Sequence, residues 1–92
     1  MKFLNLFKKD KSFKKGSSYI VNGGDFEGLI LIYIESTEES HGFLSIPDTK
    51  NHWIPKEKFD FGLDECIIEF IENVPKYVIK ITEIKFRENE NI

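Results

Sequence analysis

Three side chains in the sequence have the chemistry to bind zinc or to activate a nucleophile: His41, His52 and Cys66. Zinc ligands usually come in closely spaced pairs, as in CxxC or HExxH, and these three residues form no such pair. Cysteine catalysis needs a thiolate, but Cys66 lies between Asp64-Glu65 and Glu69, whose negative charges disfavour the anion. The sequence therefore predicts neither a metal site nor a cysteine enzyme.

Carboxylates are abundant, but no pattern in the sequence places two of them in a pocket as an acid and a base. Gly23-Gly24 lacks the GxGxxG or GxxxxGK[ST] context that phosphate binding requires, and a turn explains it better. We therefore expect a protein that is not an enzyme and that needs no cofactor.

The composition indicates one folded domain with a heavily charged surface. The 92 residues suffice for a single modest core, and 32% of them are charged. The lone Cys66 cannot form an intramolecular disulfide and fits a reducing compartment. The apolar stretch after Lys2 is too short for a signal peptide, and no run approaches the ~20 residues of a membrane span. These observations predict a cytoplasmic protein without a transmembrane segment.

Charge is distributed unevenly along the chain. Residues 1–15 hold six lysines and one aspartate, for a net charge of +5, whereas the other 77 residues hold 7 basic and 15 acidic side chains, for a net charge of −8. This asymmetry indicates a basic arm attached to an acidic body. We accordingly divide the chain into a basic N-terminal arm (residues 1–15), one α+β domain (16–88) and a frayed tail (89–92).

The longest apolar run follows Gly28 and extends from Leu29 to Ile34. Its length and its β-branched isoleucines favour a strand, and its lack of alternation indicates that both faces are covered. We predict a central strand over residues 26–35. Asn22-Gly23-Gly24 before it predicts a tight type I′ hairpin turn from a first strand at 19–21.

Two further strands follow, at residues 41–46 and 52–54, with a turn at 47–51 and an end at Pro55. Short strands in meander order predict one curved antiparallel sheet of three to five strands, for which an SH3-like half-barrel is one form. The fold class is therefore α+β, with one helix packed on the sheet.

The helix is predicted near residues 62–74, because Leu63, Ile67, Phe70, Ile71 and Val74 have the spacing of one helix face. The competing interpretation is a strand through Cys66, Ile68 and Phe70. The next segment, 76–87, is ambiguous between strand and helix. Its β-branched residues lead us to predict a strand over 77–86.

A protein partner accounts best for the acidic body. The carboxylates Glu35, Glu38, Glu39 and Asp48 lie on predicted loops, where they would speed the capture of a basic partner. Trp53 lies close to a turn and would serve as an interface anchor, although a Trp at the end of a small core is an equal alternative. The partner's identity and the oligomeric state are left open by the sequence.

The stretch Phe61–Pro75, of sequence FGLDECIIEFIENVP, is similar to segments of small bacterial immunity proteins that accompany secreted or contact-dependent toxins. The resemblance covers about 15 residues. It implies a small acidic cytoplasmic inhibitor that binds a toxin domain and masks its active site.

The alternative function is a nucleic-acid or membrane-surface accessory domain that works through the basic arm. The acidic body counts against nucleic acid, because it would repel the same phosphates. The residues of the arm that would act are Lys8, Lys9, Lys11, Lys14 and Lys15.

Overall fold

Five antiparallel strands and two helices make up residues 13–90, the part of the chain that the computed structural model describes. The strands are β1 (Ser17–Val21), β2 (Ile30–Ser36), β3 (Ser40–Ile46), β4 (Asn51–Pro55) and β5 (Ile68–Asn73), and the helices are α1 (Lys56–Asp64) and α2 (Lys76–Glu90). The strands form one open sheet in the order β4-β3-β2-β1-β5. The predicted α+β class and the curved antiparallel sheet with a packed helix are confirmed.

The central strand is covered on both faces, as its unbroken apolar run predicts. Leu31 packs into a cluster with Phe43 and Phe59 of α1, while Ile32 and Ile34 pack with Phe86 of α2 on the opposite face. Successive side chains on a strand point to opposite faces, so a strand buried on both sides must be apolar throughout. The strand begins at Ile30 rather than at residue 26.

The β1–β2 hairpin is present, but the predicted tight turn is wrong. Tyr19 pairs with Leu31, and the connection is a long loop over residues 22–29 in which Gly24 and Gly28 have the positive φ values of 81° and 92°. Asn22 instead extends β1 toward β5, because its N–H donates to the carbonyl of Ile67 at 2.7 Å. That bond removes Asn22 from the turn.

The helix predicted near residues 62–74 is wrong in position. Helix α1 begins at Lys56 and ends at Asp64, and residues 68–73 form the edge strand β5. The chain reverses at Cys66, which has a φ of 61°. The N–H groups of Cys66 and Ile67 donate to the carbonyls of Leu63 and Gly62, the bonding pattern of a Schellman helix end.

The strand predicted over residues 77–86 is also wrong, because this segment lies within α2. The helix covers the second face of β2 with Thr82 and Phe86, both buried. Asn89 donates a hydrogen bond to the carbonyl of Thr49 at 2.9 Å. The predicted tail 89–92 therefore begins with two helical residues, while its last two lie outside the described part.

Candidate protein-binding edge of the sheet

Glu35 is held by an ion pair within the protein. Arg87 of α2 donates to both of its carboxylate oxygens, one of them at 3.0 Å. This hydrogen bonding lowers the pKa of Glu35 and raises the pKa of Arg87. Arg87 also lies over the ring of Phe86, 5.5 Å from its centroid. The carboxylate that the sequence assigns to a partner therefore fastens α2 to the sheet.

Trp53 is both a packing residue and a surface residue. It pairs with Gly42 across β3 and β4, and its ring lies 5.6 Å from that of Phe86. A Cβ built on Gly42 would meet the Trp53 ring at 2.9 Å, so the indole lies flat over the glycine. The ring nevertheless retains 38% of its exposure. Trp53 therefore packs on the sheet and is also partly exposed, and its role as an interface anchor stays a prediction.

The other predicted contacts lie at opposite ends of β3. Glu38 and Glu39 are exposed in the β2–β3 turn, whereas Asp48 lies in the β3–β4 turn and accepts a hydrogen bond from Ser45. Seven residues of β3 separate the two turns, a span of about 24 Å at ~3.4 Å per residue. The structure therefore groups Glu38 and Glu39 with Glu35 and Trp53, and it separates Asp48 from them.

One cluster has the residue types of a catalytic triad but not the order of its hydrogen bonds. It consists of Ser45, His52 and Asp48. In a triad the imidazole stands between the hydroxyl and the carboxylate. Here the hydroxyl stands in the middle, donating to Asp48 and lying 3.0 Å from Nε2 of His52. Ser45 is also fully buried. The network braces the β3–β4 turn and does not activate the serine.

His41 is enclosed by aromatic rings at the other end of β3. Phe13 lies 4.1 Å and Phe59 lies 5.4 Å from its ring, centroid to centroid. Its Nδ1 is 2.6 Å from the hydroxyl of Ser36. Burial lowers the pKa of His41, the charge of Lys56 lowers it further, and Asp60 opposes this change. The neutral imidazole is therefore the form that the fold favours.

The three metal-ligand candidates do not converge. His41 and His52 lie on neighbouring strands, two positions apart in the β3–β4 register, but Cys66 is exposed in the turn between α1 and β5. Within residues 13–90 no group of three His, Cys, Asp or Glu side chains is placed to hold a metal ion.

Of the basic arm, only Lys14 and Lys15 fall in the described part. Lys15 forms an ion pair with Glu83 of α2, and Lys14 is exposed. Lys8, Lys9 and Lys11 lie outside the described residues, so the arm's role stays a prediction. Neither helix of residues 13–90 has the length and apolar character to cross a membrane.

The apolar side chains that the sequence placed on a helix face, Ile67, Phe70 and Ile71, lie instead in or beside strand β5. Strand β5 pairs with β1 on one side, and no strand of residues 13–90 lies on its other side. Exposed apolar and acidic side chains line this border. We call this surface the acidic edge; it consists of Glu65, Ile67, Glu69, Phe70, Ile71 and Glu72.

The apolar members of the acidic edge are exposed, as are several other large apolar side chains of the protein, among them Phe61 and Tyr77. The exposed fractions are 38% for Ile67, 39% for Phe70 and 44% for Ile71. Phe70 rests edge-on against the buried ring of Tyr19, with 5.6 Å between the ring centroids. Exposed apolar side chains rimmed by polar groups are typical of interaction surfaces.

The segment around the acidic edge carries charge of one sign. Residues 59–75 contain five carboxylates and no lysine, arginine or histidine. Glu69 accepts a hydrogen bond from the side-chain amide of Asn22 at 2.7 Å, which fixes its carboxylate against the residue that follows β1. Such a surface attracts a positively charged partner.

The sequence pattern of β5 could have indicated this edge, but the same pattern is compatible with a strand and with a helix. The pattern Ile68–Asn73, of sequence IEFIEN, allows an exposed edge strand as well as one face of a helix. The run of carboxylates without a basic residue is visible from the sequence, whereas the exposure of Phe70 and Ile71 depends on the placement of β5 beside β1.

No known protein family matches the chain, and no curated protein or solved structure does either.

Proposed function

We propose that this protein is a non-enzymatic binding module, an immunity-type inhibitor that binds a basic toxin domain and masks its active site in the cytoplasm. The observation that supports this function is the acidic edge, which combines exposed apolar side chains, carboxylates and a border of β5 with which no strand of residues 13–90 pairs. The apolar side chains would supply affinity on burial, and the carboxylates would accelerate the encounter.

The β2–β3 turn is a second contact that fits the same partner. Glu38 and Glu39 are exposed there and form no ion pair within residues 13–90. Strand β1 separates β2 from β5, so the β2–β3 turn is distinct from the acidic edge, to which we assign the main contact. Glu38 and Glu39 then supply long-range attraction and little affinity.

The test is capture from the native host, followed by a growth assay. The immobilised full chain should retain a basic protein whose expression arrests growth unless this chain is coexpressed. The variant with Glu65→Lys and Glu72→Lys should lose capture by about tenfold or more, because both side chains lie on the acidic edge. Thermal melting would show that each variant is folded.

The matched control is Glu38→Lys with Glu39→Lys, which makes the same change in net charge on the β2–β3 turn. We expect this variant to capture more slowly while retaining protection from growth arrest. Equal capture by both double variants, or a captured protein whose toxicity the chain does not relieve, would contradict the proposed function.

A further inference from the structure

We infer that the partner binds by adding a strand to the sheet: a basic, extended segment pairs with the outer border of β5 and makes it an inner strand. This inference rests on the proposed function and specifies how its binding surface is used. Strand addition requires an edge with available backbone groups and side chains that select the incoming segment. The acidic edge has both.

The backbone groups of Phe70 point away from β1. The N–H of Asn22 donates to the carbonyl of Ile67, so that carbonyl faces β1, and alternation along the strand turns the backbone groups of Glu69 the same way. Phe70 follows Glu69 and precedes the bulge, so alternation turns its N–H and carbonyl away from β1. Its pairing with Tyr19, whose own backbone groups face β2, agrees with this assignment.

A β-bulge in β5 places two of its glutamates on one face of the sheet and Phe70 on the other. Glu69 pairs with Ile20 and Glu72 pairs with Ser18, and the register shift lies between Ser18 and Tyr19. Residues that are directly opposite in a sheet share a face, and Ser18 and Ile20 point to the same face, the one covered by α2. Both glutamates therefore lie on one face.

Phe70 lies on the opposite face, beside Tyr19. A strand added next to β5 would place alternate side chains on the two faces. The segment that fits has basic side chains on the face of Glu69 and Glu72, and apolar side chains on the face of Phe70.

The placement of both glutamates on one face argues against a second copy of this chain as the strand that pairs with β5. In an antiparallel pair of β5 strands, the glutamates of one copy would face those of the other across the new border. Like charges directly opposite each other destabilise strand pairing. A basic segment of another protein has the complementary charge, and we therefore assign the edge to it.

The test uses the full chain and a labelled heptapeptide of alternating lysine and valine, acetylated and amidated, in a fluorescence anisotropy titration. We expect saturable binding that weakens with salt. Replacing the lysines by glutamate should abolish binding. Methylating the backbone nitrogens of two successive central residues should weaken it by about tenfold or more, because neither border of the peptide could then pair continuously.

The protein is varied at the outward-facing backbone group. Phe70→Pro removes the outward N–H, whereas Phe70→Val removes the ring and keeps the N–H. We expect the proline variant to bind the peptide about tenfold more weakly than the valine variant. Independently of whether the proline variant folds, peptide binding should slow hydrogen exchange at the N–H of Phe70 in the unmodified chain.

Equal binding of the methylated and unmethylated peptides, or unchanged exchange at Phe70, would overturn strand addition and leave the proposed function standing if the host partner is still captured. Absence of binding by the lysine-valine peptide would likewise overturn the inference. The proposed function would instead be contradicted by the capture and growth assays, whose results do not depend on how the partner binds.

Discussion

The two edges of the sheet are protected very differently. Strand β4 is five residues long, ends at Pro55 and continues directly into α1, with Lys50 before it and Lys56 after it. Its one large aromatic, Trp53, lies on Gly42 and against Phe86. Strand β5 contains no lysine or proline, and it exposes Ile71 as well as Phe70, whose exposed fraction of 39% matches the 38% of Trp53.

Proteins usually protect sheet edges by short strands, lysine, proline or a covering element, because an unprotected edge recruits other strands. The β4 edge follows this rule throughout. The β5 edge has a β-bulge and glutamates, and the glutamates repel a copy of the strand and attract a basic one. The difference supports the proposal that β5, rather than β4, is the edge that binds a partner.

The largest expected effect is a difference in lost stability between removing the ring of Phe86, which packs on the β4 side, and removing the ring of Phe70 on the β5 edge. Phe86 is fully buried between Trp53 and β2, so Phe86→Ala should lower the free energy of unfolding by about 3–5 kcal/mol. Phe70 is 39% exposed, and Phe70→Ala should cost about 1–2 kcal/mol. Denaturant unfolding measures both. Equal losses would contradict the contrast between the two edges.

A smaller effect tests how tightly the β4 side is packed. The added methyl of Gly42→Ala would lie 2.9 Å from the Trp53 ring and 3.0 Å from that of Phe86, so this change should cost about 1–3 kcal/mol. Gly23→Ala is the matched control, since it meets no atom within 4 Å and requires no positive φ. A neutral Gly42→Ala in denaturant unfolding would show that the Trp53 ring is loosely held.

The pH dependence of stability tests the aromatic enclosure of His41, which pairs with Ile54 of β4. Its pKa is lowered in the folded state, chiefly by burial, so below about pH 6.5 the unfolded chain binds the proton more readily. Stability should fall as pH drops from about 6.5 through the folded-state pKa. His41→Gln should flatten this dependence in denaturant titrations.

The parts of the fold that local pattern determines could be predicted from the sequence. The run from Leu29 to Ile34 is apolar on both faces, and both faces are buried. The β3 and β4 strands follow at their expected places. Each of these elements pairs with its neighbour along the chain, so the information needed to place it is local.

The segments 62–74 and 77–86 could not be assigned from local pattern, because each has spacings that suit both a strand and a helix. Long-range contacts decide between them. β1 needs a partner on its second side, which β5 supplies, and β2 needs a cover on its second face, which Phe86 supplies. The acidic edge was missed for the same reason, since the exposure of Phe70 follows from the assignment of β5.

The smallest expected change in stability concerns Cys66, which lies in the turn between α1 and β5. Cys66 occupies the left-handed position of the Schellman end, with a φ of 61°, where glycine is the usual residue. Cys66→Gly should therefore raise the free energy of unfolding by about 0.5–1 kcal/mol, because glycine adopts positive φ without a Cβ clash. Cys66→Ala removes the same thiol and keeps the clash, so it should give no gain. Equal stabilities of the two variants in denaturant unfolding would show that the turn into β5 carries no strain at this residue.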